Sequence, residues 1–297
     1  MEGTRRTGLI AGAVIGICVV MLSGWSPAFG SDQHAWDIPG SPPPHSAAWK
    51  ARDDAKTAAA EAWEAGAPGG AAAFERAHGP LPAGAGAVAT PSMCPPSQPS
   101  CIPPPQPASA TLKANQMAQI RNYYCAPASV AEALDSLGLA VSQDGLAAKL
   151  RTTTDGTAWY GVYVASDPST GWPVEDVLNN RIGSNIYNSA SVSSPATTAQ
   201  KSTFRTRLKS DIVAGWPLIG NAVEVHGGPH LYRHPDHLAP IYHYFEIRGY
   251  QNAGATTLYE DSVHNATTIS WHASVPAYSS LATDTIATIV GGRGYVW

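Results

Sequence analysis

The order of the predicted elements after residue 110 limits the fold of this chain more than any other feature. Apolar residues recur at helical spacing across four segments: 130–137, 143–150, 174–182 and 199–214. Runs rich in apolar and β-branched residues follow at 216–225, 242–250, 256–261, 286–290 and 295–297. Because helices come first and strands afterwards, the sequence predicts an α+β domain over 111–297, with N-terminal helices packed on an antiparallel β-sheet.

The preceding stretch, 31–110, has a different composition, since most of it is Pro, Ala, Gly and Ser. Such a composition buries too little apolar surface to offset the entropy of ordering the chain, so we expect it to be mostly disordered. Only 47–65 is rich in helix-forming residues, with Trp49 and Trp63 as candidate anchors. A linker or spacer is the favoured interpretation, and a removable prosegment that occupies a cleft stays open.

The amino terminus has the pattern of a secretory signal peptide over 1–30. Arg5 and Arg6 precede an apolar run at 8–24, and small residues surround Gly30, where we expect cleavage. The run is shorter than the ~20 residues that a spanning helix needs, so no stable membrane span is expected after cleavage. We therefore expect a secreted, extracellular or cell-wall-associated protein, exported by either the Sec or the twin-arginine route.

Charge and cysteine content exclude several classes. The 18 Lys and Arg against 22 Asp and Glu give a net charge of −4 without a basic block, so no nucleic-acid partner is expected. Four cysteines in 297 residues do not make a disulfide scaffold. Cys94 and Cys101 enclose a short Pro-rich loop and are a plausible pair in an exported protein. Cys125 is then the odd thiol, and an unpaired exported thiol needs an explanation.

Cys125 stands at the predicted start of a helix. Pro127 suits a first helical turn, where its missing N–H costs nothing. The sulfur therefore lies beside the positive end of the helix dipole, which favours the nucleophilic thiolate. A buried, inert cysteine is the alternative for any lone thiol.

Three further residues have the chemistry that an activated thiol requires. His243 opens one predicted strand and Asp261 closes the next, so an antiparallel hairpin through 251–254 would bring them together. A base oriented by a carboxylate can then activate the thiol. Gln119 precedes the cysteine by six residues, and its amide could hold an oxyanion together with the Cys125 N–H.

This set resembles the papain-like peptidases related to the double-glycine bacteriocin-leader peptidases. The resemblance runs over roughly 115–297 and rests on Gln119, Cys-Ala-Pro-Ala-Ser at 125–129, His-Tyr at 243–244, Gly-Tyr at 249–250, and Asp261. It implies a papain-like fold with Cys125 as nucleophile, His243 as general base and acid, Asp261 as orienting carboxylate and Gln119 as oxyanion donor. No cofactor and no metal are implied.

Two positions depart from the pattern of that family. Ala126 stands where the family has Gly, and Ser262 where a Pro commonly follows the Asp. The second departure leaves Asp284 and Glu260 as alternative triad carboxylates.

Five histidines lie close together in the sequence: His226, His230, His234, His237 and His243. Such density suggests a zinc site, but Gly and Pro residues interrupt the stretch, so no continuous helix can present the imidazoles on one face. A loop over the cleft, lined with neutral histidines, is the favoured interpretation.

Together these features predict a secreted cysteine hydrolase, a peptidase or amidase that acts on a peptide or protein through a Cys-His-Asp triad and a thioester intermediate. Acyl transfer to an amine would use the same triad. The alternative is an exported, non-catalytic papain-like module that binds a peptide, a cell-wall ligand or a metal. Because Cys125, His243 and Gln119 are all present, the sequence favours the enzyme.

Overall fold

The structure is a computed structural model that describes residues 42–83, 85, 105–166 and 169–297. The predicted signal peptide and the Cys94–Cys101 pair lie outside these residues. The helices are α1 (Ala47–Glu64), α2 (Gly70–His78), α3 (Cys125–Ser136), α4 (Gln143–Leu150), α5 (Pro173–Ile182), α6 (Thr198–Ala214) and α7 (Thr283–Ile289). The strands are β1 (Ala110–Thr111), β2 (Ser189–Ser191), β3 (Leu218–Glu224), β4 (Ile241–Gln251), β5 (Thr256–Glu260), β6 (Tyr278–Ala282) and β7 (Gly294–Val296).

The strands form one antiparallel sheet in the order β2-β7-β3-β4-β5-β6, with β1 paired to β4. Helices cover both of its faces. Along β4, Tyr244 packs in the cluster of α3, whereas Phe245 and Ile247 pack in the cluster of α6 and α7. Successive residues of a strand point to opposite faces, which explains why β4 is buried along nearly its whole length. The predicted α+β class with an antiparallel sheet is confirmed.

The four predicted helices are confirmed, and local signals define their ends. Ser142 caps α4, and Thr197 with Gln200 forms a capping box on α6. The predicted strand at 286–290 is wrong, because these residues belong to α7 and the turn after it. Thr283, Ile286, Ala287 and Ile289 are the buried residues of this helix, so packing at helical spacing outweighs the β propensity of isoleucine.

The expectation that 31–110 is mostly disordered does not hold for α1 and α2. Trp63 and Phe74 are buried in the same apolar cluster as α6. Lys56 Nζ lies 3.1 Å from Asp211 Oδ2, and His78 Nε2 lies 2.9 Å from Asp211 Oδ1. The physical reason is that alanine, which makes the composition of this stretch simple, also has the highest helix propensity. A few aromatic side chains then supply the apolar surface. Among the described residues, no helix is both long and apolar enough to cross a membrane.

Candidate active site

Cys125 is the first residue of α3, and its partly buried thiol faces a small cavity. Pro127 occupies the first turn, as the sequence predicts. A helix leaves its first N–H groups without intrahelical partners, so the Cys125 N–H and the helix dipole both point toward the cavity. The cavity is lined by Gln119, Asn122, Cys125, Ile241, Tyr242, His243, Val263, Ile269 and Trp271.

The pairing of β4 with β5 brings His243 and Asp261 together. Glu246 is opposite Glu260 in the antiparallel register, so the start of β4 lies beside the residue that follows β5. His243 Nε2 is 3.1 Å from Asp261 Oδ1, and both side chains are buried.

The protonation of His243 depends on its neighbours. Burial acts to lower the pKa of this imidazole, but the charge of Asp261 and its hydrogen bond outweigh burial, and a hydrogen bond with Cys125 adds to them. The net result raises the pKa of His243 to about 10. The imidazole is therefore an imidazolium at neutral pH, placed between the carboxylate and the thiol.

Ser262 orients the amide of Gln119. The Ser262 hydroxyl donates to Gln119 Oε1 at 3.1 Å, and Gln119 Nε2 donates to the Arg121 carbonyl at 2.8 Å. The backbone N–H of Gln119 also donates to the Ser262 carbonyl at 2.8 Å. An amide nitrogen carries two hydrogens, so the second remains for a ligand in the cavity that Gln119 lines. The hydroxyl of Ser262 therefore holds the Gln119 amide, which the Pro that is common at this position of the family could not do.

The two alternative carboxylates lie elsewhere. Asp284 pairs with Arg205 on the surface at 2.8 Å. Glu260 is buried in a cluster with Glu132 and Glu246, whose carboxylate oxygens lie within 4.8 Å of one another. The carboxylate that contacts His243 is that of Asp261.

The expectation of a loop of neutral histidines is wrong for His234. This side chain is buried, with Nδ1 3.0 Å from Glu224 Oε2 and Nε2 2.9 Å from Asp261 Oδ2. Burial acts to lower its pKa, but the charges of Glu224 and Asp261 outweigh burial and raise the pKa of His234 to about 9. His234 is therefore an imidazolium that shares Asp261 with His243.

In the structure, two histidines of the histidine-rich stretch lie beside a carboxylate in an arrangement that could hold a metal ion. His234, His243 and Asp261 bring their ligand atoms within 4.8 Å of one another. The nitrogens that face Asp261 already lie at hydrogen-bond distance from its carboxylate. His226 remains mostly exposed and pairs with Asp236 instead.

The sequence did not identify Glu224 or Trp271 as site residues, and it did not predict that His234 pairs with carboxylates. The Trp271 ring packs 4.7 Å from that of His234, and Trp271 lines the cavity. A buried strand end at Glu224 was the only local signal, because the contacts of His234 with Asp261 and Trp271 join residues that are distant in sequence.

A helix that begins at a cysteine and packs on an antiparallel sheet bearing a His–Asp pair defines a papain-like cysteine peptidase fold. The model of the Peptidase_C39 like family matches residues 111–282, which is more than half of the chain. The chain therefore belongs to the Peptidase_C39 like family, and the resemblance that the sequence indicates is confirmed.

Two solved structures are similar to this chain. The peptidase domain of Streptococcus ComA, a bifunctional ABC transporter involved in a quorum sensing pathway, is 14% identical, with a TM-score of 0.37 over 63% of this chain and 96% of that one. The digestive procathepsin L 3 of Tenebrio molitor larval midgut is 11% identical, with a TM-score of 0.36 over 89% of this chain and 95% of that one. No curated protein matches the chain.

Proposed function

We propose that this protein is a cysteine hydrolase that cleaves peptide or amide bonds in peptide or protein substrates, with Cys125, His243 and Asp261 as its catalytic triad. Membership of the Peptidase_C39 like family supports a cysteine peptidase-type function. The observation that carries the finer proposal is the placement of His243, whose buried imidazole contacts both Asp261 and Cys125.

The first step is attack by the thiolate. The proposed mechanism starts from a thiolate–imidazolium pair, in which His243 carries the proton and Asp261 stabilises the imidazolium. The helix dipole of α3 stabilises the sulfur anion at the same time. The thiolate then attacks the carbonyl carbon of the scissile bond, and the carbonyl oxygen becomes an oxyanion.

Two N–H donors are available for that oxyanion. One is the Cys125 backbone N–H at the start of α3, and the other is the second hydrogen of Gln119 Nε2. Because Ser262 and the Arg121 carbonyl fix the amide, this donor is oriented before the substrate binds. Preorganised donors of this kind are worth about 3–4 kcal/mol of transition-state stabilisation.

The proton balance closes through His243. The imidazolium donates its proton to the leaving amine, which departs and leaves a thioester between the acyl group and Cys125. The now neutral imidazole accepts a proton from water, and the water attacks the thioester. Release of the acid regenerates the Cys125 thiolate and the His243 imidazolium, and no cofactor is needed. The predicted signal peptide at 1–30 supports a proposal that this reaction takes place outside the cytoplasm.

Two measurements with one matched variant test this proposal. Wild-type protein and Cys125→Ala are incubated with a library of peptides from a digested proteome, and new termini are identified by mass spectrometry. We expect cleavage by the wild type and none by Cys125→Ala at an unchanged melting temperature. Acid-quenched wild-type protein should carry an acyl mass adduct that hydroxylamine removes. Absence of both cleavage and adduct would contradict the proposal and favour a non-catalytic binding module.

A further inference from the structure

We propose that His234, held by Glu224, is a positioning residue that fixes the carboxylate of Asp261 in the orientation that His243 needs. The inference rests on the proposed function, since it assigns His234 a part in the same triad. It makes the site a linked series of alternating carboxylates and imidazoles that ends at Cys125.

The first observation is the way in which Glu224 holds the loop that carries His234. Glu224 ends β3 and is fully buried. Its Oε1 accepts from the Leu231 N–H at 3.0 Å, and its Oε2 lies 3.0 Å from His234 Nδ1 and 3.1 Å from His230 Nδ1. A single strand-end carboxylate thus anchors three positions of the loop between β3 and β4.

The second observation is that both carboxylate oxygens of Asp261 have hydrogen-bond partners. Its Oδ1 lies 3.1 Å from His243 Nε2 and accepts from the Val263 N–H at 3.0 Å. Its Oδ2 lies 2.9 Å from His234 Nε2. Rotation of the carboxylate about its Cβ–Cγ bond would break the contact on Oδ2 together with those on Oδ1. His234 therefore holds the second oxygen, Oδ2, whereas His243 and the Val263 N–H both hold Oδ1.

The third observation is the balance of buried charge. Both ring nitrogens of His234 face carboxylate oxygens, so only the imidazolium can donate at both ends. Glu224 from β3 and Asp261 after β5 flank it, the ring of His243 from β4 lies 5.3 Å away, and the ring of Trp271 covers it at 4.7 Å. The two buried carboxylates thus face the two buried imidazoles of His234 and His243, and His230 is a further partner of Glu224, so the buried charges are paired. The pKa of His234, raised to about 9, agrees with this arrangement.

Two substitutions at His234 separate positioning of Asp261 from anchoring of the loop. A Gln amide nitrogen reaches about as far as imidazole Nε2, so His234→Gln keeps a donor toward Asp261. An Asn amide nitrogen corresponds to Nδ1, so His234→Asn keeps the donor toward Glu224 and loses the one toward Asp261. His230→Ala is the matched control, because His230 binds Glu224 and Asp236.

The readouts are kcat and KM on a peptide that the wild type cleaves, and the rate of Cys125 alkylation by iodoacetamide at pH 6. We expect His234→Asn to lower kcat and the alkylation rate about tenfold to hundredfold with KM unchanged, as misplacement of a catalytic group does. His234→Gln should stay within about threefold of wild type, and His230→Ala should match wild type, with all melting temperatures recorded.

Equal losses in His234→Asn and His234→Gln, or an equal loss in His230→Ala, would overturn the proposal and leave His234 as a loop anchor. Wild-type values of kcat and of the alkylation rate in His234→Asn would overturn the proposal as well. Alkylation needs no substrate, so it tests His234 even if no peptide is cleaved. The proposed function fails if the wild type cleaves no peptide. This inference fails on the alkylation rates, so the two failures can be told apart.

Discussion

The ring nitrogen Nε2 of His243 lies 3.1 Å from Oδ1 of Asp261, and both residues are buried where β4 begins and β5 ends. The sheet creates this relationship, because antiparallel pairing of consecutive strands joins the start of one to the end of the next. The same strand pair therefore fixes the distance between the proposed base and the carboxylate proposed to orient it.

Replacement of Asp261 tests that relationship. Asp261→Asn leaves the volume unchanged and removes the negative charge that the two imidazoliums share. We expect kcat on a cleaved peptide to fall by about 10²–10⁴-fold, since the amide no longer holds His243 in its charged, oriented form. The replacement also leaves buried positive charge, so melting temperature is measured in parallel. Asp284→Asn, on the surface, is the control and should match wild type. Equal activity of Asp261→Asn and wild type would remove Asp261 from the triad.

Lys56 and Asp211 join α1 to α6 in the interior, with a separation of 3.1 Å. Lys56→Met keeps the apolar stem and removes the cation, so it leaves Asp211 with His78 alone. Breaking one partner of a buried pair costs about 3–5 kcal/mol, and we expect a loss of about 3 kcal/mol in the free energy of unfolding in urea at pH 7.

The control for this measurement is Lys50→Met, at an exposed position of the same helix, which should change stability by less than about 0.5 kcal/mol. Equal stabilities of the two variants would show that the Lys56–Asp211 pair contributes nothing to the stability of the folded domain. A large difference would show that α1 belongs to the folded unit.

Glu132, Glu246 and Glu260 form a buried carboxyl cluster between α3, β4 and β5. Burial, together with the charges of the neighbouring carboxylates, raises the pKa of Glu132 and Glu246 well above the usual value of 4.5. Burial also raises the pKa of Glu260 to about 7. Folded-state pKa values above the unfolded ones mean that the native state binds more protons, so this cluster lowers the free energy of unfolding as pH rises from about 4.5 to about 7.

Glu246→Gln tests that pH dependence. The amide keeps an acceptor for the Ser136 hydroxyl and a permanent donor toward Glu260, whose Oε1 also lies 3.7 Å from Arg248 Nε. We expect little change in the free energy of unfolding at pH 4.5 and a gain on the order of 1–2 kcal/mol at pH 8, measured in urea. Glu61→Gln, exposed on α1, is the control. A loss of stability at pH 8 would contradict the assignment of raised pKa values.

The sequence predicted what depends on local pattern. Pro127 marks the first turn of α3, and two apolar runs separated by a short turn mark the hairpin that joins His243 to Asp261. Helical spacing predicted α6 to within one residue at its start. These elements follow from short-range stereochemistry and from the alternation of buried positions.

What the sequence could not predict depends on distant contacts. Glu224 and His234 are ten residues apart, yet their pairing is useful only because Asp261 approaches from another strand. The docked α1 contacts Asp211 through Lys56, and the two residues are more than a hundred positions apart. At 286–290, β-branched residues favoured a strand, and packing against α6 produced a helix instead.

The most direct test of the account is the rate of Cys125 alkylation as a function of pH, followed on the mass of the peptide that contains it, in wild type and in His243→Ala. We predict rapid alkylation of the wild type at pH 5–6, where an ordinary thiol with a pKa of about 8.5 reacts slowly. His243→Ala should abolish the reaction at that pH and restore the profile of a free thiol. An inert Cys125, or the same profile in both proteins, would contradict the thiolate–imidazolium pair on which the proposed hydrolase rests.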